Sequence, residues 1–435
     1  MITHFLVAVA VAAQGTPLAD DVKIDNVLGH LQAFQAIADA HGGTRAAGTP
    51  GYDASADYVA ARLREAGYQV ERQEFHFDQY RELSPGRIVV DGKDVGKIGT
   101  MIYSGSGDVL GHPRKAGAGC MNTDFAGFGA GEIAVVDRGG CTFAAKAANA
   151  TAAGAAALVV VNQGDAFAGS ASVPQRIPVV GVDAKTGAAV AGGRQMRVTT
   201  STQSARHTTS NVIAQTAWGA PDEVVMVGAH LDSVAEGPGI NDNGSGSAAL
   251  LEIALRLSAY QPTKAVRFVW WGGEELGLLG SRYYVGSLTP EERAKIRMYL
   301  NFDMIASPNY TYGIYDGDDS DKVGAGPGPQ GSAEIEREFV RFFAERGLPY
   351  TGTDFTGRSD YGPFIEAGIP SGGLFTGAEV NKSKREAEIF GGTAGAPLDP
   401  CYHQACDTLE NVDATALDVS ADAIATVITT FAGGR

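Results

Sequence analysis

The 435-residue sequence is short of basic residues: 34 Lys and Arg stand against 50 Asp and Glu, a formal net charge of −16. A field of that sign repels phosphate backbones and argues against nucleic acid as a partner. Charged residues of both signs reach only 19% while 44% of the chain is hydrophobic, so it can bury a large core and is not a disordered polymer. Cysteine is scarce. The four fall in two close pairs, Cys120 with Cys141 and Cys401 with Cys406. An even count in an exported chain points to disulfides with three permitted connectivities, of which local pairing closes the shortest loops. Structural zinc is the rival reading, but neither pair has the C-x2-C spacing. There is no internal repeat, no low-complexity block and no apolar run of the about 20 residues that cross a bilayer. Gly and Pro are plentiful, 58 and 18, without collagen period, which points to many tight loops.

The apolar run from Phe5 to Ala13 is too short to span a membrane. With small residues at Ala10, Ala12 and Ala19 it reads as a secretory signal over residues 1–19, although no basic segment precedes it. The length exceeds what one core usually organises, so two domains are expected. Ile24, Val27, Leu28, Leu31, Phe34 and Ile37 recur at helical spacing, and a second helix over residues 55–66 stops at Gly67. Residues 68–75 read as a strand. Between about 81 and 206 the texture changes to short β-rich pieces and glycine turns, with an alanine-rich helix before the apolar strand 157–161. Gly127-Phe-Gly-Ala-Gly131 precedes a strand instead of joining a strand to a helix, so it is no dinucleotide fingerprint. From residue 210 strands and helices alternate: 224–227, helix 247–257, 266–271, 298–302. That order predicts an α/β fold with a mostly parallel sheet, whose ligands collect at the carboxyl ends of strands.

The polar residues of interest follow those strands. His230 ends one, in Gly228-Ala-His-Leu-Asp232; Asp242 stands just before the next helix; Glu274 and Glu275 follow the second strand; Asp303 closes the third. His403 lies in Cys401-Tyr-His-Gln-Ala-Cys406. Taken singly, these would be an ordinary hydrogen-bonded histidine, an N-cap and a helix start. On successive strand ends of one sheet they would meet in one cleft. Asp242, Glu275 and Asp303 would crowd three negative charges there, raising one another's pKa. One divalent cation leaves that cluster net negative; two leave it net positive, and a hydroxide then balances it. Imidazole with carboxylate suits zinc, without excluding manganese or cobalt.

The strings His230-Leu-Asp232, Gly239-Ile-Asn-Asp-Asn-Gly244, Trp271-Gly-Gly-Glu-Glu-Leu276, Asn301-Phe-Asp303 and Cys401-Tyr-His-Gln-Ala-Cys-Asp407 resemble the secreted double-zinc aminopeptidases of the Streptomyces type. The resemblance implies a catalytic domain in two parts, 20–80 and 207–435, with a mostly parallel mixed sheet flanked by helices. The 81–206 insert resembles a β-rich protease-associated domain. His230 and Asp303 would hold one zinc, Glu275 and His403 the other, and Asp242 would bridge. Asp232 would orient His230, Glu274 would be general base and acid to a dizinc-bound hydroxide, and Tyr402 would donate to the oxyanion. Arg358 would contact substrate, and Met304, Gly357 and Phe375 would line the pocket for the first side chain. Asp21, the Val22 carbonyl, Asp418 and Asp422 match a calcium site of some relatives. The implied protein is a secreted monomer that trims large neutral or apolar residues from peptide amino termini. Its rivals on the same fold are a metallocarboxypeptidase, a glutaminyl cyclase with one zinc, and a non-catalytic receptor, which would be expected to have lost ligands.

Overall fold

The computed structural model describes residues 17–433, so the apolar run at 5–13 lies outside the described residues. Two compact units form: one up to Phe75 and from Thr208 onward, the other His76–His207. The chain passes between them inside two long strands, Gln69–Val90 and Met196–Gln215.

In the first unit the apolar spacing near the amino terminus folds as expected. Helix Ile24–Ala40 buries Val27, Leu31, Phe34 and Ala38 along one face. The next helix is Pro50–Glu65, starting more than a turn before the expected residue 55. Thr49 caps it by accepting from the Tyr52 amide, and Pro50 supplies a fixed φ at the first turn.

The sheet of this unit is mixed, and its centre is parallel. Strand Ala220–His230 lies between Lys264–Trp271 and Ile296–Phe302, parallel to both, with His230 opposite Trp271 and Gly228 opposite Asn301. Ser371–Phe375 continues the parallel set, whereas 212–215 and Gly313–Tyr315 add antiparallel neighbours. Alternate side chains enter two cores. Val225, Val227, Val266 and Phe268 meet the helices of one face, and Val224, Met226, Val269 and Trp271 those of the other. Burial on both faces is why these strands read as unbroken apolar runs. Helix Ala414–Ala432 is the one described helix long and apolar enough to cross a membrane, yet Leu417, Ile424 and Ile428 are spent in the first core.

The second unit holds a five-stranded sheet, largely parallel, with Ile133–Asp137, Ala157–Val161 and Val179–Val182 at its centre. Helices Phe143–Ala152 and Ala184–Gly192 accompany it, so the unit is more mixed than its glycine-broken sequence predicts. Both local disulfides are present, Cys120–Cys141 and Cys401–Cys406.

Candidate active site

Parallel pairing of three adjacent strands puts their carboxyl ends side by side, and the expected ligands cluster there. His230 Nε2 lies 3.2 Å from Asp242 Oδ1 and 3.2 Å from Asp303 Oδ1. His403 Nε2 lies 3.3 Å from Asp242 Oδ2 and 2.9 Å from Glu275 Oε2. The two oxygens of Asp242 therefore face different histidines, the disposition a bridging carboxylate requires. Glu274 Oε2 stands 3.9 Å from His230 Nε2.

Three of the expected ligands, His230, Asp303 and Asp242, are held from behind. His230 Nδ1 faces the Asp232 carbonyl at 3.0 Å and its carboxylate at 3.7 Å, which leaves Nε2 turned to the cluster. Asp232 Oδ1 also accepts the Glu274 amide at 3.2 Å. Ser359 Oγ donates to Asp303 Oδ2 at 2.5 Å, so only Oδ1 faces His230. A buried chain from Trp271 through Tyr299 and Asn301 ends on Ser359. Because indole can only donate and carboxylate can only accept, every proton in it points toward Asp303. The loop carrying Asp242, with a cis peptide bond to Asn243, is gripped by Asp407. That carboxylate accepts the Asn241 and Asp242 amides at 2.8 and 2.9 Å. Arg45, fully buried, donates to the carbonyls of Leu231, Pro238 and Gly239. Gly237 approaches so closely that a Cβ would meet the Gln404 carbonyl, which seats this loop against the one bearing His403.

Electrostatically the cluster calls for cations. Burial disfavours a charged His230, yet Asp303 and Glu274 outweigh it and raise the imidazole well above its ordinary value. His403 is pushed up to about 10, burial being overcome by Asp242 and Glu275. Burial pushes Glu275 up to about 7, with Asp242 adding to it. Burial likewise drives Glu274 well above the carboxylate range, and Asp303 and Asp360 add to that. Glu275 Oε1 is buried without a hydrogen-bond partner among the described residues. Two imidazoles, three convergent carboxylates and one orphaned oxygen form a donor set that fits a pair of zinc ions.

Of the other expected residues, Tyr402 stacks on His403 with ring centroids 3.8 Å apart, and Arg358 Nη2 donates to its hydroxyl at 3.1 Å. Arg358 is exposed, and Nη1 is committed to Glu379 at 2.8 Å. Gly357 is exposed at φ 76°, Phe375 is half-buried, and Met304 is only 2% exposed, so it offers a substrate little surface. The calcium quartet is less coherent. Asp21 Oδ2 accepts the Tyr260 hydroxyl at 2.6 Å, while the carboxylates crowding Asp422 are Asp418 and Asp20. Arg45, Ser359, Asp360, Asp407 and Glu379 were not singled out from sequence. Asp407, directly after the second cysteine of the His403 loop, had the best local signal.

Residues 211–428 match the model of peptidase family M28, and 105–190 match the PA domain. The chain is 45% identical to an aminopeptidase of Pseudomonas aeruginosa, across 93% of this chain and 80% of that protein. It is 44% identical to a probable lipoprotein aminopeptidase of Mycobacterium tuberculosis, across 97% and 88%. Identity to leucine aminopeptidase 2 of Trichophyton rubrum is 39%, across 95% and 85%. Among solved structures, an aminopeptidase from an Aneurinibacillus strain superposes with TM-score 0.68 at 26% identity, covering 95% of both chains. A zinc aminopeptidase from Bacillus subtilis gives 0.59 at 26%, covering 94% of this chain and 95% of that one.

Proposed function

The chain belongs to peptidase family M28 and carries an inserted PA domain; from that premise we propose that it is an exported dizinc aminopeptidase releasing large neutral or apolar residues from peptide amino termini. The observation that carries this reading is that the two Asp242 oxygens face two histidines, each paired with a further carboxylate, with Glu274 beside them. His230 and Asp303 would hold one zinc and His403 and Glu275 the other, with Asp242 between. Bound zinc supplies Lewis acidity and lowers the pKa of water from 15.7 to about 7, so a nucleophile exists at neutral pH.

The chain's own residues do the rest. Glu274, 3.9 Å from His230 Nε2 and not proposed as a ligand, takes a proton from the attacking water and returns it to the leaving amine. Tyr402 donates its hydroxyl proton to the developing oxyanion. Carboxylates at the cleft attract the substrate's α-ammonium, which favours trimming from the amino end over internal cleavage. Gly357 and half-buried Phe375 would flank the space for the first side chain, Met304 being largely covered, and the apolar preference rests on the resemblance at these positions. Export is supported by the run at 5–13 and the two disulfides. Leu18 and Ala19 are buried in the peptidase core, so a signal cut belongs before Leu18, inside the span read from sequence.

The test pairs zinc per chain with release from leucyl, lysyl and glutamyl chromogenic amides. Two zincs and fastest leucine release are expected, with activity abolished when the substrate amine is acetylated. One zinc would favour the cyclase reading, and cleavage of a peptide acetylated at its amine and free at its carboxyl end would favour the carboxypeptidase reading.

A further inference from the structure

One acidic side chain with no role so far reaches the rim of the site. Glu379 follows strand Ser371–Phe375, and its Oε1 accepts from Arg358 Nη1 at 2.8 Å while Arg358 Nη2 donates to Tyr402 Oη at 3.1 Å. The backbone on either side of Glu379 is tied down. The Ala378 carbonyl accepts the Asp399 amide at 2.8 Å, and the Val380 carbonyl accepts the Leu398 amide at 2.9 Å. A Cβ at Gly377 would collide with the Leu398 side chain, so the turn is seated against this segment. Leu398 and Asp399 lead directly into the Cys401–Cys406 loop that carries Tyr402. The carboxylate is thus placed by the same segment that places the phenol.

Guanidinium has donors and no acceptor, so its bond to Tyr402 is received by the phenol oxygen. The phenol's own proton then has no acceptor among the described residues. We propose that Glu379 is a positioning residue for hydrolysis: it clamps Arg358 so that one N–H loads the Tyr402 oxygen, leaving the Tyr402 proton free for the substrate oxyanion. Without the clamp, a long exposed arginine samples many rotamers and the phenol loses its fixed donor direction. Two of the five Arg358 N–H donors are spent on Glu379 and Tyr402, so its service to Tyr402 is separate from the substrate contact the resemblance implies. The Arg358–Glu379 pair is about half exposed and contributes little to stability, so removing it leaves the fold in place.

This rests on Tyr402 acting as the oxyanion donor in an aminopeptidase. The experiment uses the zinc-loaded full chain with Glu379→Ala, Glu379→Gln, Tyr402→Phe and the Glu379→Ala/Tyr402→Phe double variant, zinc content being measured for each. Glu379→Ala is expected to lower kcat on a leucyl amide by about 10–100-fold at unchanged KM, a misplacement effect. Affinity for the tetrahedral phosphonic analogue of leucine should fall by the same factor while affinity for leucine itself holds. Glu379→Gln, which still accepts from Arg358, should restore most of kcat, and in the Tyr402→Phe background Glu379→Ala should add nothing. An unchanged kcat, a rise in KM alone, or full additivity with Tyr402→Phe overturns the proposal. A wild-type chain inert on leucyl amide would instead overturn the aminopeptidase reading itself.

Discussion

Glu274 and Glu275 are chemically identical neighbours with different partners. Glu275 Oε2 meets His403 Nε2 at 2.9 Å, as suits two groups proposed to share an ion, whereas Glu274 Oε2 stays 3.9 Å from His230 and its amide is fixed on Asp232. The Asp232 carboxylate behind His230 therefore also anchors the Glu274 amide, which would keep the proposed proton carrier in register with the proposed metal pair. Glu274→Gln should lower kcat by about 10²–10⁴-fold, the usual worth of a general base, while elemental analysis still finds two zincs per chain. Loss of zinc in that variant would make Glu274 a ligand. His230, Glu275 and Asp303 were readable in the sequence because they end or closely follow strands recognisable from their apolar runs, whereas Asp242 and His403 were reached through the strings around them. Ser359 and Arg45 were not readable, because their contacts join positions far apart in the chain and leave no local pattern.

The Cys401–Cys406 loop shows how one element imposes geometry on a ligand. His403 sits at φ 56°, a left-handed conformation that costs energy for a residue with a Cβ. A disulfide closing so short a loop removes little entropy from the unfolded chain, so its main effect is local. It holds His403 in that conformation, and the imidazole is further kept by stacking on Tyr402. His230, by contrast, is 1% exposed and backed by Asp232. Replacing both cysteines by serine should therefore weaken the His403 zinc by about 10–100-fold, as losing a group that orients a ligand does. The His230 zinc should be spared. Chelator titration followed by a zinc dye would show one early and one late release in the variant, and equal weakening of both ions would refute the local role. Where the elements lie was largely legible from periodicity. The change of texture set the insert at 81–206 against the observed unit His76–His207, although both crossings fall inside continuous strands.

At the scale of the molecule, an excess of acid over base has to be accommodated, and Asp422 on helix Ala414–Ala432 shows the cost. Burial, with Asp418 and Asp20 nearby, pushes its carboxyl up to about 6, while Arg346 and Lys23 work the other way. A carboxyl raised from about 4 in the unfolded chain binds its proton better when folded. The stability this contributes is fully present below about pH 4 and is lost as pH rises through about 6. Asp422→Asn removes the titration, so without divalent ions wild type and variant should melt alike at pH 4. At pH 7 the variant should melt a degree or two higher, about 1 kcal/mol being worth only about 1 °C in a chain of this length at about 2.1 cal/mol/K per residue. Calcium offers the chain another remedy. If Asp21, the Val22 carbonyl, Asp418 and Asp422 do gather around an ion, added calcium should raise the melting temperature of wild type at pH 7 and leave Asp422→Asn unmoved. The Tyr260 hydroxyl occupies one site of one Asp21 oxygen and leaves others to an ion, and calcium moving neither protein would end the calcium reading. Calorimetry at the two pH values, with and without calcium, separates the two.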